Sequence, residues 1–120
     1  MNEIEMIGSR RAIFFDGAGP QLATARDADD LVGEALSLQA ELVVIPVERL
    51  SPDFLRLSSG LAGEVLQKFV NYGLSVAILG DVSAAAKSAP LRDFVRESNR
   101  GRWVWFVEHR AVLEAKASEP

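Results

Sequence analysis

The sequence predicts an α/β fold: a mixed, mostly parallel sheet that begins with a β-hairpin and carries helices packed on it. Three observations predict it. Residues 42–45 and 74–79 are strand-length runs that are apolar on both parities, the pattern of strands covered on both faces. Between them, Leu61, Val65, Phe69 and Tyr72 recur at spacings of four, four and three, the stripe of an amphipathic helix. Near the start, two short apolar runs flank Gly8-Ser9-Arg10-Arg11, which reads as a hairpin.

Each element follows in order. Residues 4–7 and 12–15 form the hairpin strands. Gly17, Gly19 and Pro20 mark a loop, and Asp27 or Asp29 is placed to cap the helix after it, since a carboxylate there accepts from exposed backbone N–H groups. Leu31, Val32, Ala35, Leu36 and Leu38 give that helix its apolar stripe. After the strand at 42–45, Ser51 caps a short helix or turn with Pro52 at its first position. Gly60 precedes the long helix, and Leu66 and Val70 widen its stripe. Gly73 stops it. Gly80-Asp81 turns the chain after the strand at 74–79. Pro90 opens a further helix whose Leu91, Phe94, Val95 and Ser98 face inward, and Asn99-Arg100-Gly101 ends it. Residues 103–107 form the last strand, and residues 111–117 a closing helix. Strands separated by helices predict parallel neighbours joined by right-handed crossovers. Residues 1–117 read as one domain, and 118–120 as a frayed tail.

At 120 residues the chain suits a single domain, which at this size buries roughly two-thirds of the surface its unfolded form exposes. The absence of cysteine excludes disulfides, thiolate catalysis and zinc–thiolate sites. A net charge of -4 argues against a nucleic-acid partner, although Arg92, Arg96, Arg100 and Arg102 lie close in sequence, as a solvated helix face or a local basic patch. Glu3 and Glu5 interrupt any signal-like apolar run, and no segment has the length of a membrane span. The expected location is the cytoplasm, with no membrane partner.

Two resemblances enter on particular residues. The strand at 42–45, the turn Leu57-Ser58-Ser59-Gly60-Leu61-Ala62-Gly63, its helix and the strand Ser75-Val76-Ala77-Ile78-Leu79-Gly80 resemble STAS (sulphate transporter and anti-sigma factor antagonist) domains in element order. Closer is the likeness of four blocks to a bacterial family called domain of unknown function 4180. They are Leu50-Ser51-Pro52-Asp53-Phe54, residues 60–72, Gly80-Asp81-Val82-Ser83 and residues 91–101. That resemblance implies a small STAS-like α/β protein without an assigned activity.

The STAS resemblance implies a regulatory, protein-binding module whose turn hydroxyl is open to phosphorylation. A serine at a helix N-terminus suits added negative charge, and phosphate brings about two charges. Ser58 and Ser59 occupy the turn. Leu57 departs from the aspartate of the STAS regulators. The closer family's lysine–threonine pattern retains a hydroxyl only at the second position, which puts Ser59 ahead of Ser58. The structural alternative is a capping serine worth about 1 kcal/mol. The binding surface would comprise Ser58, Ser59 and Gly60 with Glu64, Gln67, Lys68 and Asn71 on the polar side of the following helix. There, Glu64 and Lys68 also suit an i,i+4 ion pair.

The alternative function is a small-molecule or anion binder, with enzymatic activity left open, near Gly80 to Ser83. Ligands in open α/β sheets favour the carboxyl ends of strands. Asp81 and Ser83 follow such an end, and Asp93, Glu97 and Asn99 lie on the next helix. Asp93 and Glu97, one turn apart, are candidates for paired carboxylates or, alternatively, for salt links to Arg96 or Arg100. This reading places a pocket between the Gly80-to-Ser83 loop and the helix beginning at Leu61. A homodimer through a sheet edge or a Trp-bearing face is a third expectation, since Trp103 and Trp105 share one strand parity. His109 is the only histidine, so neither a transition-metal site nor a catalytic triad is expected, and Gly17-Ala18-Gly19-Pro20 lacks the third glycine of a dinucleotide fingerprint. No cofactor is expected.

Overall fold

A computed structural model describes residues 2–82 and 88–118. Its elements are β1 (Glu3–Ile7), β2 (Arg10–Phe14), α1 (Asp27–Ser37), β3 (Leu42–Pro46), α2 (Pro52–Leu55), α3 (Leu61–Asn71), β4 (Ser75–Leu79), α4 (Ala89–Arg100), β5 (Val104–Val107) and α5 (Arg110–Ala117). The five strands form one sheet in the order β1-β2-β3-β4-β5. β1 and β2 are antiparallel, and β2 to β5 run parallel.

The hairpin is tighter than the sequence suggests. Ile7 pairs with Arg10, so only Gly8 and Ser9 form the turn, and Arg10 and Arg11 belong to the strand. Gly8 takes φ 62°, the left-handed value that such two-residue turns demand. β3 and β4 are buried on both faces except at their last residues, as their uniform apolarity predicts.

The two faces are covered differently. Ile13, Val43, Ile45, Val76 and Ile78 point to one side, where they meet Leu31 and Val32 of α1, Val65 and Phe69 of α3, and Phe94 and Val95 of α4. Burying each such large side chain contributes about 1.5–3 kcal/mol. Ala12, Leu42, Val44, Ala77 and Trp105 point to the other side, against Leu113 and Ala117 of α5. Three successive crossovers that step one strand each in the same direction, and share one face, have the same hand. Only after β5 does the chain cross to the opposite face. Arg110 fastens α5 there, pairing with Glu5 of β1 and lying 4.9 Å from the centre of the Phe14 ring.

Local details depart from expectation. Neither Asp27 nor Asp29 caps α1. Asp27 reaches back to the N–H groups of Ala23 (2.9 Å) and Thr24 (2.8 Å), while Asp29 pairs with Lys68. Leu36 and Leu38 are exposed, because the apolar face of α1 is complete with Ala28, Leu31, Val32 and Ala35. Tyr72 is 62% exposed: it follows α3, where the chain turns at Gly73 (φ 76°) and leaves the helical stripe. Ser118 ends α5 by donating its N–H to the Glu114 carbonyl. Residues 119 and 120 of the expected tail lie outside the described residues.

One buried cation organises the loop after β2. Arg49 is 6% exposed, and its guanidinium donates to the carbonyls of Pro20 (2.6 Å) and Asp16 (2.8 Å). Gly19 lies against it: a Cβ there would sit 2.5 Å from the Arg49 Cζ.

Candidate functional site

The turn before α3 is built by two serines. Ser51 accepts from the Phe54 N–H (3.2 Å) and caps α2, with Pro52 at its first position. Residues 57–59 then make a tight turn, and Gly60 takes φ 79° and enters α3. Ser59 ties this turn together. Its Oγ donates to the Asp53 carbonyl (2.6 Å) and accepts from the Leu61 N–H (3.2 Å). The hydroxyl is therefore engaged as both donor and acceptor, and modifying it requires breaking the Asp53 bond. Ser58 and Gly60 are exposed.

On α3, Glu64, Gln67 and Asn71 are exposed, and Gln67 donates to Asn71 (2.8 Å). Lys68 turns away from them. It pairs with Asp29 of α1 at 2.6 Å, and the expected Glu64–Lys68 pair is not formed. The reason is tertiary: α1 packs beside α3 and offers a carboxylate across the helix pair.

The carboxyl ends of β4 and β5 form a crevice of about 570 Å³, within the usual range for small-molecule sites. Gly80 and Val82 follow β4, Phe106 comes from β5, and Glu108 follows it. The other wall is α4, whose Arg92, Val95, Arg96 and Asn99 fall at i, i+3, i+4 and i+7 and so share one stripe. The apolar lining is continuous with the core, since the Phe106 ring meets Phe94 edge to face at 6.0 Å. The α4 wall brings two guanidinium groups to the crevice, Arg92 and Arg96, the latter paired with Asp93, and Glu108 adds a carboxyl group to the lining. Gly80 shapes the rim. It takes φ 137°, and a Cβ there would come within 2.5 Å of Val47. Its N–H donates to the Val107 carbonyl (2.9 Å), which holds the two strand ends together.

This crevice lies near the expected edge, but its composition differs. Its second wall is α4 and not the start of α3, because α4 is the segment that joins β4 to β5 and therefore lies over them. Among the described residues expected as ligands, only Asn99 lines it. Both ends of the Asn99 amide are bonded to the Phe106 backbone. Asp81 is exposed and outside the lining, and Ser83 lies outside the described residues. Asp93 pairs with Arg96, and Glu97 with Arg100 at 3.2 Å, the salt links expected as the alternative role of these two carboxylates. Arg92, Arg96, Val82, Val95, Phe106 and Glu108 were not singled out as ligand residues. The signal for the arginines was their i,i+4 spacing on the helix that follows a parallel strand. Among the described residues, no group of three or more His, Asp or Glu side chains is placed to hold a metal ion. No helix of the described residues is long and apolar enough to cross a membrane.

Comparison with known proteins gives one match. The family model "Domain of unknown function (DUF4180)" matches residues 8–117. No curated protein and no solved structure matches the chain.

Proposed function

Since the chain belongs to the DUF4180 family, whose description assigns no activity, the site has to carry the functional reading, and we propose that the protein binds a small anionic ligand in the crevice between β4 and β5. The supporting observation is topological. The chain leaves β4 toward α4 on one face of the sheet and leaves β5 toward α5 on the other. Adjacent strands whose connections diverge in this way open a crevice outside their carboxyl ends, the habitual ligand position in open α/β sheets. Arg92 and Arg96 suit an anionic group, and Val82, Val95 and Phe106 suit an apolar body.

The test is a thermal-shift titration of the intact chain with a panel of small carboxylates and phosphate esters. At least one class should raise the melting temperature, and Arg92→Gln should weaken that response about tenfold or more, the scale of one lost charge-assisted contact. A panel that leaves the wild-type melting temperature unchanged removes the reading.

A second reading, a STAS-like regulatory module, draws on the turn at Ser58 to Gly60. A Cβ built on Gly60 meets nothing within 4 Å, Ser58 beside it is exposed, and Glu64, Gln67 and Asn71 continue along α3 as exposed polar groups. It requires a protein partner whose capture is lost in Glu64→Lys and Gln67→Ala but retained in Arg92→Gln. Capture that ignores the α3 substitutions removes it.

A further inference from the structure

We propose that the amino-terminal edge of the sheet carries a second site, for the phosphate group of a small molecule with a flat ring, built from Arg10, Arg100, Arg102 and Lys116 around Trp105 and continued by Trp103. These four cations come from β2, α4, the loop before β5, and α5, and they line one small cavity of about 100 Å³ with Trp105. Acidic residues outnumber basic ones 17 to 13 in this chain, so composition alone does not gather positive charge here. Of these four cations, only Arg100 has a carboxylate partner among the described residues, Glu97. The Arg10 guanidinium lies 5.4 Å from the centre of the Trp105 ring and the Lys116 Nζ 6.0 Å from it. Lys116 also donates to the Asn99 carbonyl (3.1 Å), and the Trp105 indole N–H donates to the Gly101 carbonyl (3.0 Å). The ring and the ammonium group are thus fixed in place, and the like charges around them repel unless an anion sits among them.

The ring specificity comes from the adjoining space. A second cavity of about 250 Å³ shares Arg10 and Arg102 with the first and is lined by Trp103, 43% exposed, and by Ser75. Ser75 lies on the same sheet face as Arg10 and Trp105, and its small side chain leaves room between them. Glu41 is the one carboxylate among the described residues that line this cavity, and it accepts from the Arg11 N–H (3.4 Å). A phosphate held by the cations would leave an attached ring beside the exposed indole, and aromatic stacking tolerates any planar heterocycle. The site lies at the end of the strands opposite the β4–β5 crevice and stands independently of it.

The chain's two tryptophans both lie at this site, so intrinsic fluorescence reports on it directly. Adenosine monophosphate, adenosine and inorganic phosphate are titrated into the intact chain. Adenosine monophosphate should quench the emission and bind about tenfold tighter than phosphate, with adenosine weaker still. Raising the salt concentration should weaken it. Arg102 is exposed, and Arg102→Gln should weaken both phosphate compounds about tenfold without altering the circular dichroism spectrum. Trp103→Ala should weaken the nucleotide but not phosphate. The proposal is overturned if neither phosphate compound changes the emission, if Trp103→Ala leaves the nucleotide affinity unchanged, or if Arg92→Gln abolishes binding while Arg102→Gln does not.

Discussion

Asn99 holds Phe106 by both of its backbone groups: the Asn99 Nδ2 donates to the Phe106 carbonyl at 3.2 Å, and the Asn99 Oδ1 accepts from the Phe106 N–H at 2.7 Å. β5 is the outer strand of the sheet, and these are groups a further strand would use. A side chain of α4 therefore closes an edge that would otherwise invite pairing, and it does so one residue from the Trp105 ring.

Asn99→Ala should lower stability by about 1–3 kcal/mol, since two backbone groups lose their partners in a half-buried place. Urea unfolding should show a lower midpoint with an unchanged slope. Light scattering should show increased self-association relative to the wild type. An unchanged midpoint would mean that water replaces the amide without loss.

Arg49 and Gly19 should be energetically coupled. Arg49→Met leaves the Pro20 carbonyl without its donor and the Asp16 carbonyl with only the Gly19 N–H (3.3 Å), and should cost about 1–3 kcal/mol. Gly19→Ala alone should cost about 1–3 kcal/mol, because its Cβ meets the guanidinium. In the double variant the Gly19→Ala cost should shrink, giving a coupling of about 0.5 kcal/mol or more in a double-mutant cycle. Simple additivity would contradict the contact.

Two glycines should respond in opposite directions to alanine. Gly60 has open space around it but sits at φ 79°, so Gly60→Ala should cost about 1–2 kcal/mol from backbone strain alone. Gly33 lies inside α1, also in open space, without a left-handed φ. Gly33→Ala should therefore stabilise by about 0.5–1 kcal/mol. Thermal melts of the two variants should fall on either side of the wild type.

Asp27 should contribute to acid sensitivity. Hydrogen bonds from the Thr24 and Ala23 backbone N–H groups hold its carboxyl below its ordinary value of 3.8. The folded value lies below the unfolded one, so the ionised carboxylate favours the fold above pH 3.8, and that contribution is lost as pH falls through the folded value. Stability measured across this acid range should fall less steeply in Asp27→Asn than in the wild type. Parallel curves for the two proteins would rule out this role.

The strands and helices were largely legible because burial imposes a period on the sequence. The double-sided apolarity of residues 42–45 and 74–79 predicted strands covered on both faces, and the sheet has them in its interior. The stripe from Leu61 to Phe69 predicted the buried face of α3, although Tyr72 left it once the helix ended. The candidate site was less legible. Lys68 pairs with Asp29, 39 positions away, and no local spacing announces such a partner.

The sequence by itself determined the order of elements, the two-sided burial of the central strands and the presence of arginines along α4, because periodicity and turn chemistry are local properties of the chain. Tertiary structure alone decided where those arginines went. Arg92 and Arg96 line the crevice at the carboxyl ends, while Arg100 joins Arg102, Arg10 and Lys116 at the amino ends. The division follows from geometry: α4 runs back along the sheet from β4 to β5, so residues two turns apart on one helix reach opposite ends of the strands, and their partners come from segments distant in the chain.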